Sequence, residues 1–323
     1  MDAYLLSFSD PDRLAERYQT LAAHLVATPI LTSNALDKAA GCELFFKAEN
    51  LQRSGAFKMR GVSNALLELQ SSDRHIPGVC THSSGNHGHA LGWASADAEL
   101  PCIVVMPENA PQIKKDAVAN TGAEIILCPS NLADRITTLN QVKATHGFVE
   151  IHPSNQPEVI LGQGSAAWEL LHELKAQGQT LDVIIVPTGG GGLLAGTGFA
   201  VQVWNAQHGT DIQVIGAEPE GADDAARSLA SGQIQHNEQP QTIADGLRTE
   251  LGDVNFPVIQ ETVRAIYNVS DEEILLHHEA ICKRLETLIE YNSSPPLAVV
   301  HRHPDLFLGQ RVGIVLSGGN FLS

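Results

Sequence analysis

The feature that most constrains this chain is a repeated alternation of short apolar runs with longer amphipathic stretches. Apolar runs at 44–47, 78–82, 102–106, 124–128, 183–186, 213–217 and 312–316 are bounded by turn residues, and such runs read as strands buried on both faces. The stretches between them have helical spacing, as at Met59, Val62, Leu66 and Leu69. Helices are therefore expected over 59–69, up to 97, over 111–120, 132–145 and 156–177, up to 206, from 218 onward and over 271–290. A first helix starts at Ser9-Asp10-Pro11, with a capping residue and a first-turn proline, and is expected to close at Thr28-Pro29-Ile30. Strands alternating with helices imply an α/β fold with open, mostly parallel twisted sheets flanked by helices. Three strand–helix units fall within 77–155, which suggests a small domain inserted into a larger, discontinuous one made of 1–76 and 156–323.

Composition narrows the partners. The 323 residues carry 20 basic and 37 acidic side chains, a net charge of −17. That charge argues against nucleic acid and anionic membranes. No run reaches membrane-spanning length, and no signal peptide opens the sequence. The five cysteines are odd in number and lack a C-x-x-C spacing. Buried free thiols in a reducing, cytoplasmic setting are expected.

Several turns carry chemistry. Thr188-Gly189-Gly190-Gly191-Gly192 follows a strand and precedes a helix. Such a loop turns backbone N–H groups toward one anion, with phosphate the natural guest. It has neither Walker nor G-x-G-x-x-G spacing. Lys58 stands at a loop-to-helix junction in Ser54-Gly55-Ala56-Phe57-Lys58-Met59-Arg60-Gly61. A first-turn cation opposes the helix dipole, yet surface lysines are common, so this stretch leaves both readings open. Ser83-Ser84-Gly85-Asn86-His87 offers hydroxyls, an amide and helix-start N–H groups to a carboxylate. Ser317-Gly318-Gly319-Asn320 ends the last strand, where ligands bind in open α/β sheets. Glu218, Ala222, Asp223 and Asp224 by themselves read as acidic residues of a first helical turn. The 14 histidines show no zinc spacing and, His87 apart, read as surface or supporting groups. One lysine, one phosphate cradle, one carboxylate turn and one strand-end hydroxyl together suggest pyridoxal 5′-phosphate.

Taken with Thr242-Ile243-Ala244-Asp245-Gly246, these motifs occur in the order of the fold-type II pyridoxal-phosphate enzymes. The chain most resembles their serine racemase and serine/threonine dehydratase (ammonia-lyase) branch. The resemblance implies that Lys58 holds the cofactor, Phe57 packs on its ring, Gly189, Gly190, Gly191 and Gly192 bind its phosphate, Asn86 its hydroxyl and Ser317 its ring nitrogen. Ser83, Ser84, Asn86 and His87 would receive the substrate carboxylate. Glu218, the Ala222 carbonyl and Asp224 would bind a divalent cation (Mg²⁺, Ca²⁺ or Mn²⁺), which reverses the plainer reading of that cluster. A homodimer is implied as well. The implied reaction is β-elimination from an L-serine- or L-threonine-type β-hydroxy amino acid to a 2-oxo acid and ammonia, with Lys58 removing the Cα proton. Ser84, on the opposite face, would add serine racemisation, which is the main activity in one alternative. Arg135 and Arg248 raise another, a 3-hydroxyaspartate ammonia-lyase. One departure stands out. Glu290 is kept beside the cofactor, but Tyr291-Asn292-Ser293-Ser294-Pro295-Pro296 replaces the family's small glycine-containing turn.

Overall fold

The structure is a computed structural model. It describes residues 1–320 except Asp73 and Ser84, with Leu132 described through its backbone only. Two sheets form. The larger combines β1 (Ile30–Leu31), β2 (Glu43–Lys47), β7 (Val183–Pro187), β8 (Gln213–Pro219), β9 (Ala265–Val269) and β10 (Arg311–Val315) in the order β1-β2-β10-β7-β8-β9. The smaller combines β3 (Val79–His82), β4 (Cys102–Pro107), β5 (Glu124–Cys128) and β6 (Val149–Glu150) in the order β5-β4-β3-β6. Every pairing is parallel except that of β1 with β2. The central strands β7 and β10 are buried along almost their whole length, as expected of Val/Ile-rich strands covered on both faces.

Three helices lock the middle of the molecule: Lys58–Gln70, Pro157–Ala176 and Gly192–His208. Their backbones approach closely through glycine. A Cβ on Gly162 would meet the Arg60 carbonyl at 2.5 Å, and one on Gly164 would meet the Gly196 carbonyl at 2.3 Å. The helix that begins with Lys58 is thereby packed against a neighbour that itself packs on the helix following the glycine loop. Arg60, in the first turn of that helix, is 1% exposed and binds Glu49 through Nε and Nη2 at 2.7 Å each, with Glu169 at 3.0 Å. A buried cation so fully paired ties the helix to the segment after β2.

Three expected helices are shorter than the sequence suggested. The one expected over 271–290 is Asp271–Leu285, opened by a Ser270/Glu273 capping box. It stops because Glu286 turns left-handed, at φ 51°. Leu288 and Ile289 continue the apolar spacing but lie beyond that stop. The helix expected from 218 begins only at Asp224, because β8 runs to Pro219 and a 3₁₀ turn fills Glu220–Ala222. The first long helix ends at Ala22, well before Pro29. Of the five free thiols, Cys42, Cys80 and Cys128 are buried, while Cys102 and Cys282 are half-buried. Among the described residues, no helix is long and apolar enough to cross a membrane.

Candidate active site

Most of the motifs read from the sequence sit at carboxyl ends of strands: Ser83 after β3, the glycine loop after β7 and Ser317 after β10. Lys58 follows the short 3₁₀ turn Glu49–Leu51 beyond β2 and opens its helix. The chain around it is stitched to the end of β10. The Phe57 N–H donates to the Ser317 carbonyl at 3.0 Å, Gly319 N–H to the Gly55 carbonyl at 2.9 Å, and Asn320 Nδ2 to the Ser54 carbonyl at 2.9 Å. Asn320 Nδ2 also reaches Asn86 Oδ1 at 2.9 Å. Three motifs distant in sequence thus meet at one place.

Lys58 Nζ donates to the Pro153 carbonyl at 2.7 Å and lies 4.9 Å from the Phe57 ring centroid. Burial lowers its pKa to about 8, because a desolvated amine resists charging. Pro153 belongs to a turn that also touches the phosphate cradle. Asn255 Nδ2 bridges the Ser154 carbonyl (3.2 Å) and the Gly190 carbonyl (2.8 Å), and Cβ atoms on Gly190 or Gly192 would strike Ser154. Gly191, at φ 76°, is the left-handed residue that opens the helix Gly192–His208, a conformation suited to glycine. Gln163 Oε1 is buried at this cradle without a protein partner.

On the other side, Asn86 Nδ2 donates to Glu290 Oε1 at 2.8 Å. Glu290 Oε2 accepts from Asn292 Nδ2 at 2.7 Å, and Asn292 Oδ1 accepts from Gly246 N–H. Burial pushes the Glu290 carboxyl up against these bonds. Ser317 Oγ lies 3.1 Å from Ser293 Oγ, which also bonds both the N–H and the carbonyl of Gly318. The segment that departs from the family pattern is therefore built into the site. Its 3₁₀ turn, Tyr291–Ser293, supplies Asn292 and Ser293.

Ser83 is buried and His87 is 3% exposed. His87 Nε2 donates to the Ile151 carbonyl at 2.9 Å while its Nδ1 has no partner. Burial, with Lys58 nearby, holds this ring neutral. Ser84 lies outside the described residues. Arg135 is half-buried with its Nε unpartnered, and its charge acts on His82. Arg248 is exposed and spends both Nε and Nη2 on the Thr242 carbonyl, so it is not brought together with Arg135 by any of these contacts.

The acidic pair Glu218 and Asp224, with Ala222, stands apart, at the end of β8. Glu218 and Asp224 are both 0% exposed. Glu218 accepts from the N–H groups of Ala225 and Ala226 at 2.9 Å, and Asp224 accepts from Asn237 Nδ2 and Leu251 N–H. Burial pushes Glu218 up to about 8 and Asp224 to about 6. Ala222 is buried beside them. Two desolvated carboxylates and a main-chain carbonyl form an oxygen donor set of the kind hard cations take.

Sequence reading missed His82, His152, Pro153, Ser154, Gln163, Asn255, Asn292 and Ser293. The turn at 152–155 follows β6, a strand of two residues, too short to leave a periodic signal. Its Pro-Ser-Asn composition was the sole available hint. The residues that are present fit a phosphorylated aldehyde cofactor. They provide a half-buried, readily neutral amine, a cradle in which a Cβ has no room, and orphaned polar atoms at Gln163 and His87.

Comparison with known proteins agrees with that fit. The family model described as "Pyridoxal-phosphate dependent enzyme" matches residues 21–318. The chain is 39% identical to a beta-hydroxyaspartate dehydratase of Paracoccus denitrificans over 317 residues, covering 98% of this chain and 97% of that protein. It is 40% identical to a serine racemase of Dictyostelium discoideum over 311 residues, covering 95% and 93%. Among solved structures, a threonine deaminase from T.th. superposes with a TM-score of 0.90 at 36% identity, covering 97% of this chain and 99% of that one.

Proposed function

The chain belongs to the pyridoxal-phosphate dependent enzyme family, its α/β architecture is that of the fold-type II members, and from that premise we propose that it eliminates the β-hydroxyl of L-serine- or L-threonine-type amino acids. The observation that carries this reading is the half-buried, desolvated Lys58 amine. It has a neutral carbonyl as its hydrogen-bond acceptor, on a turn shared with the glycine loop.

Pyridoxal phosphate, when bound, supplies the electron sink that acidifies the substrate Cα–H. The chain's own groups do the rest. Gly189 to Gly192 receive the phosphate. Asn86, oriented by Glu290, and Ser317, paired with Ser293, would hold the ring's hydroxyl and nitrogen, and Phe57 packs beside Lys58. Ser83, Asn86 and His87 orient the substrate carboxylate, together with Ser84. Lys58, as a free amine with its lone pair turned from Pro153, takes the Cα proton at Nζ. Ser84 is assigned the opposite face and with it any racemisation. Glu218, Ala222 and Asp224 are assigned a divalent cation. The same reading takes 77–155 as a small domain, since the four-stranded sheet lies within it, and the whole as a cytoplasmic homodimer. The five free thiols are in keeping with a reducing compartment.

One observation favours a second reading. The buried, unpartnered Nε of Arg135 suits a substrate with a second carboxylate, such as 3-hydroxyaspartate. A panel of serine, threonine and 3-hydroxyaspartate, assayed for both 2-oxo acid and D-amino acid, separates the readings. Lys58→Ala should abolish every product, and retained turnover would reject the primary reading. If the second reading holds, Arg135→Ala lowers kcat/KM for hydroxyaspartate by about 100-fold and leaves serine largely unaffected. An equal loss on both substrates rejects it.

A further inference from the structure

Three ligating atoms of His82, Glu150 and His152 lie within 4.8 Å of one another, next to the turn that receives Lys58. A metal site is the first thought, but the protons exclude it. His152 Nδ1 accepts from the N–H groups of both Ser154 (3.2 Å) and Asn155 (2.8 Å). A neutral imidazole has one bare nitrogen and one N–H, so the Nε2 of this ring carries the proton and has no lone pair for a metal. Moving that proton to Nδ1 would turn the acceptor of two backbone bonds into a donor facing two donors. Glu150 is engaged as well, paired with Lys143 at 2.7 Å, and Arg135 adds positive charge beside His82.

The same bonds give His152 a different task. We infer that His152 is a positioning residue: its ring, fixed as the Nε2–H tautomer, braces the 152–155 turn so that the Pro153 carbonyl meets the Lys58 amine and Ser154 closes the glycine loop. The turn is held at each end. The His152 N–H donates to Gln156 Oε1 at 2.9 Å, and the ring gathers the two N–H groups that follow Pro153. Between these anchors the Pro153 carbonyl accepts from Lys58 Nζ at 2.7 Å and Gln163 Nε2 at 3.3 Å. Beyond them Asn155 Oδ1 accepts from Val254 and Asn255 N–H, and Asn155 Nδ2 reaches Asp253. A carbonyl that holds one N–H of a neutral amine confines its lone pair to the two remaining positions about the Cε–Nζ bond, both turned away from Pro153. The geometry of Cα proton removal by Lys58 is therefore constrained, at one remove, by the tautomer of His152. Burial supports this by holding the ring neutral; His82 further disfavours its charging, Glu150 opposes this, and Lys58 and Asp253 act less strongly in opposite directions.

The inference rests on the reading of Lys58 as the base, and its test separates the two. In ¹⁵N-labelled holoenzyme, long-range ¹H–¹⁵N spectra should show His152 as the Nε2–H tautomer at neutral pH. An Nδ1–H tautomer, or a stoichiometric shift of its resonances on adding Zn²⁺, overturns the proposal. Amide exchange at Ser154 and Asn155 should be slow in the native enzyme and in His152→Asn, whose side-chain oxygen accepts the same two N–H groups as in an Asx turn. It should be fast in His152→Phe. The Phe variant should lose about 10–100-fold in kcat through misplacement of the base, with KM moved less than about threefold, and the Asn variant should recover most of that loss. Equal behaviour of the two variants in exchange and in kcat sinks the idea. Should the Phe variant not fold, the tautomer and the Asn variant's exchange decide. Turnover surviving in Lys58→Ala would instead remove the base assignment and leave the exchange and tautomer results standing.

Discussion

At the scale of single residues, the chemistry turns on how little surrounds Lys58. Its amine meets a carbonyl, an aromatic face and neighbouring histidines held neutral by burial. Desolvation alone brings its pKa down to about 8. In the proposed mechanism the neutral amine is the base, and its fraction grows as pH rises through that value. With Cα-deuterated substrate showing that proton removal limits turnover, kcat should therefore climb between about pH 6 and 8 and level off above about 9. A kcat that falls over this range would show that the protonated amine, not the free one, is the working form. Lys58 could not be decided from its own neighbours in the sequence, because a desolvated first-turn lysine and a solvated one have the same letters around them. The glycine loop and Ser317 decided it, and the contacts from Phe57 to Ser317 and from Pro153 to the loop now give the physical reason.

At the scale of elements, what could be read was what periodicity encodes. β2, β5 and β7 lie where apolar runs bounded by turn residues placed them, and the helix Lys58–Gln70 lies where Met59, Val62, Leu66 and Leu69 put it. Pieces without that signature escaped. β6 has two residues, and the helix Pro295–Arg302 begins at a pair of prolines that reads as a break but suits a helix's first turn. The same segment shows how a departure from a family pattern can still be built into the site's hydrogen bonds. In place of a glycine turn, Asn292 is 6% exposed and joins Glu290 to the Gly246 N–H, while Ser293 sits against Ser317. Asn292→Ala would leave the Glu290 oxygen and the Gly246 N–H without their partner. The expected cost is about 1–3 kcal/mol of stability, read from urea unfolding, with weaker retention of the cofactor on dialysis because Asn86 is held by the same Glu290. Unfolding and retention both unchanged would mean that water replaces the amide and that the network is incidental.

At the scale of the whole molecule, two sheets direct the ends of their strands at one site, while the Glu218–Asp224 pair lies off that site at the end of β8. The pair's oxygens cap the helix Asp224–Ser231 and accept from Leu251 and Asn237, so a cation there would fasten β8, that helix and the 237–251 segment together. Burying two carboxylates without a counter-ion is costly, and an ion that binds only the folded chain stabilises it by mass action. With Mg²⁺, Ca²⁺ or Mn²⁺ at roughly a hundredfold over its Kd, the gain is about 2.7 kcal/mol, which should raise the thermal midpoint by several degrees and be reversed by chelation. Asp224→Asn should abolish the response to the ion while leaving the Lys58 site assembled, as judged by retained cofactor absorbance. The segment 237–251 includes Asp245, which pairs with Lys114 across to the four-stranded sheet's helix Gln112–Ala119. Loss of the ion should therefore loosen this contact between the two sheets' layers and lower kcat along with stability. A thermal midpoint indifferent to all three ions and to chelator would leave Glu218 and Asp224 a plainer role, carboxylates that satisfy N–H groups at the start of the helix Asp224–Ser231 and of the 251 segment.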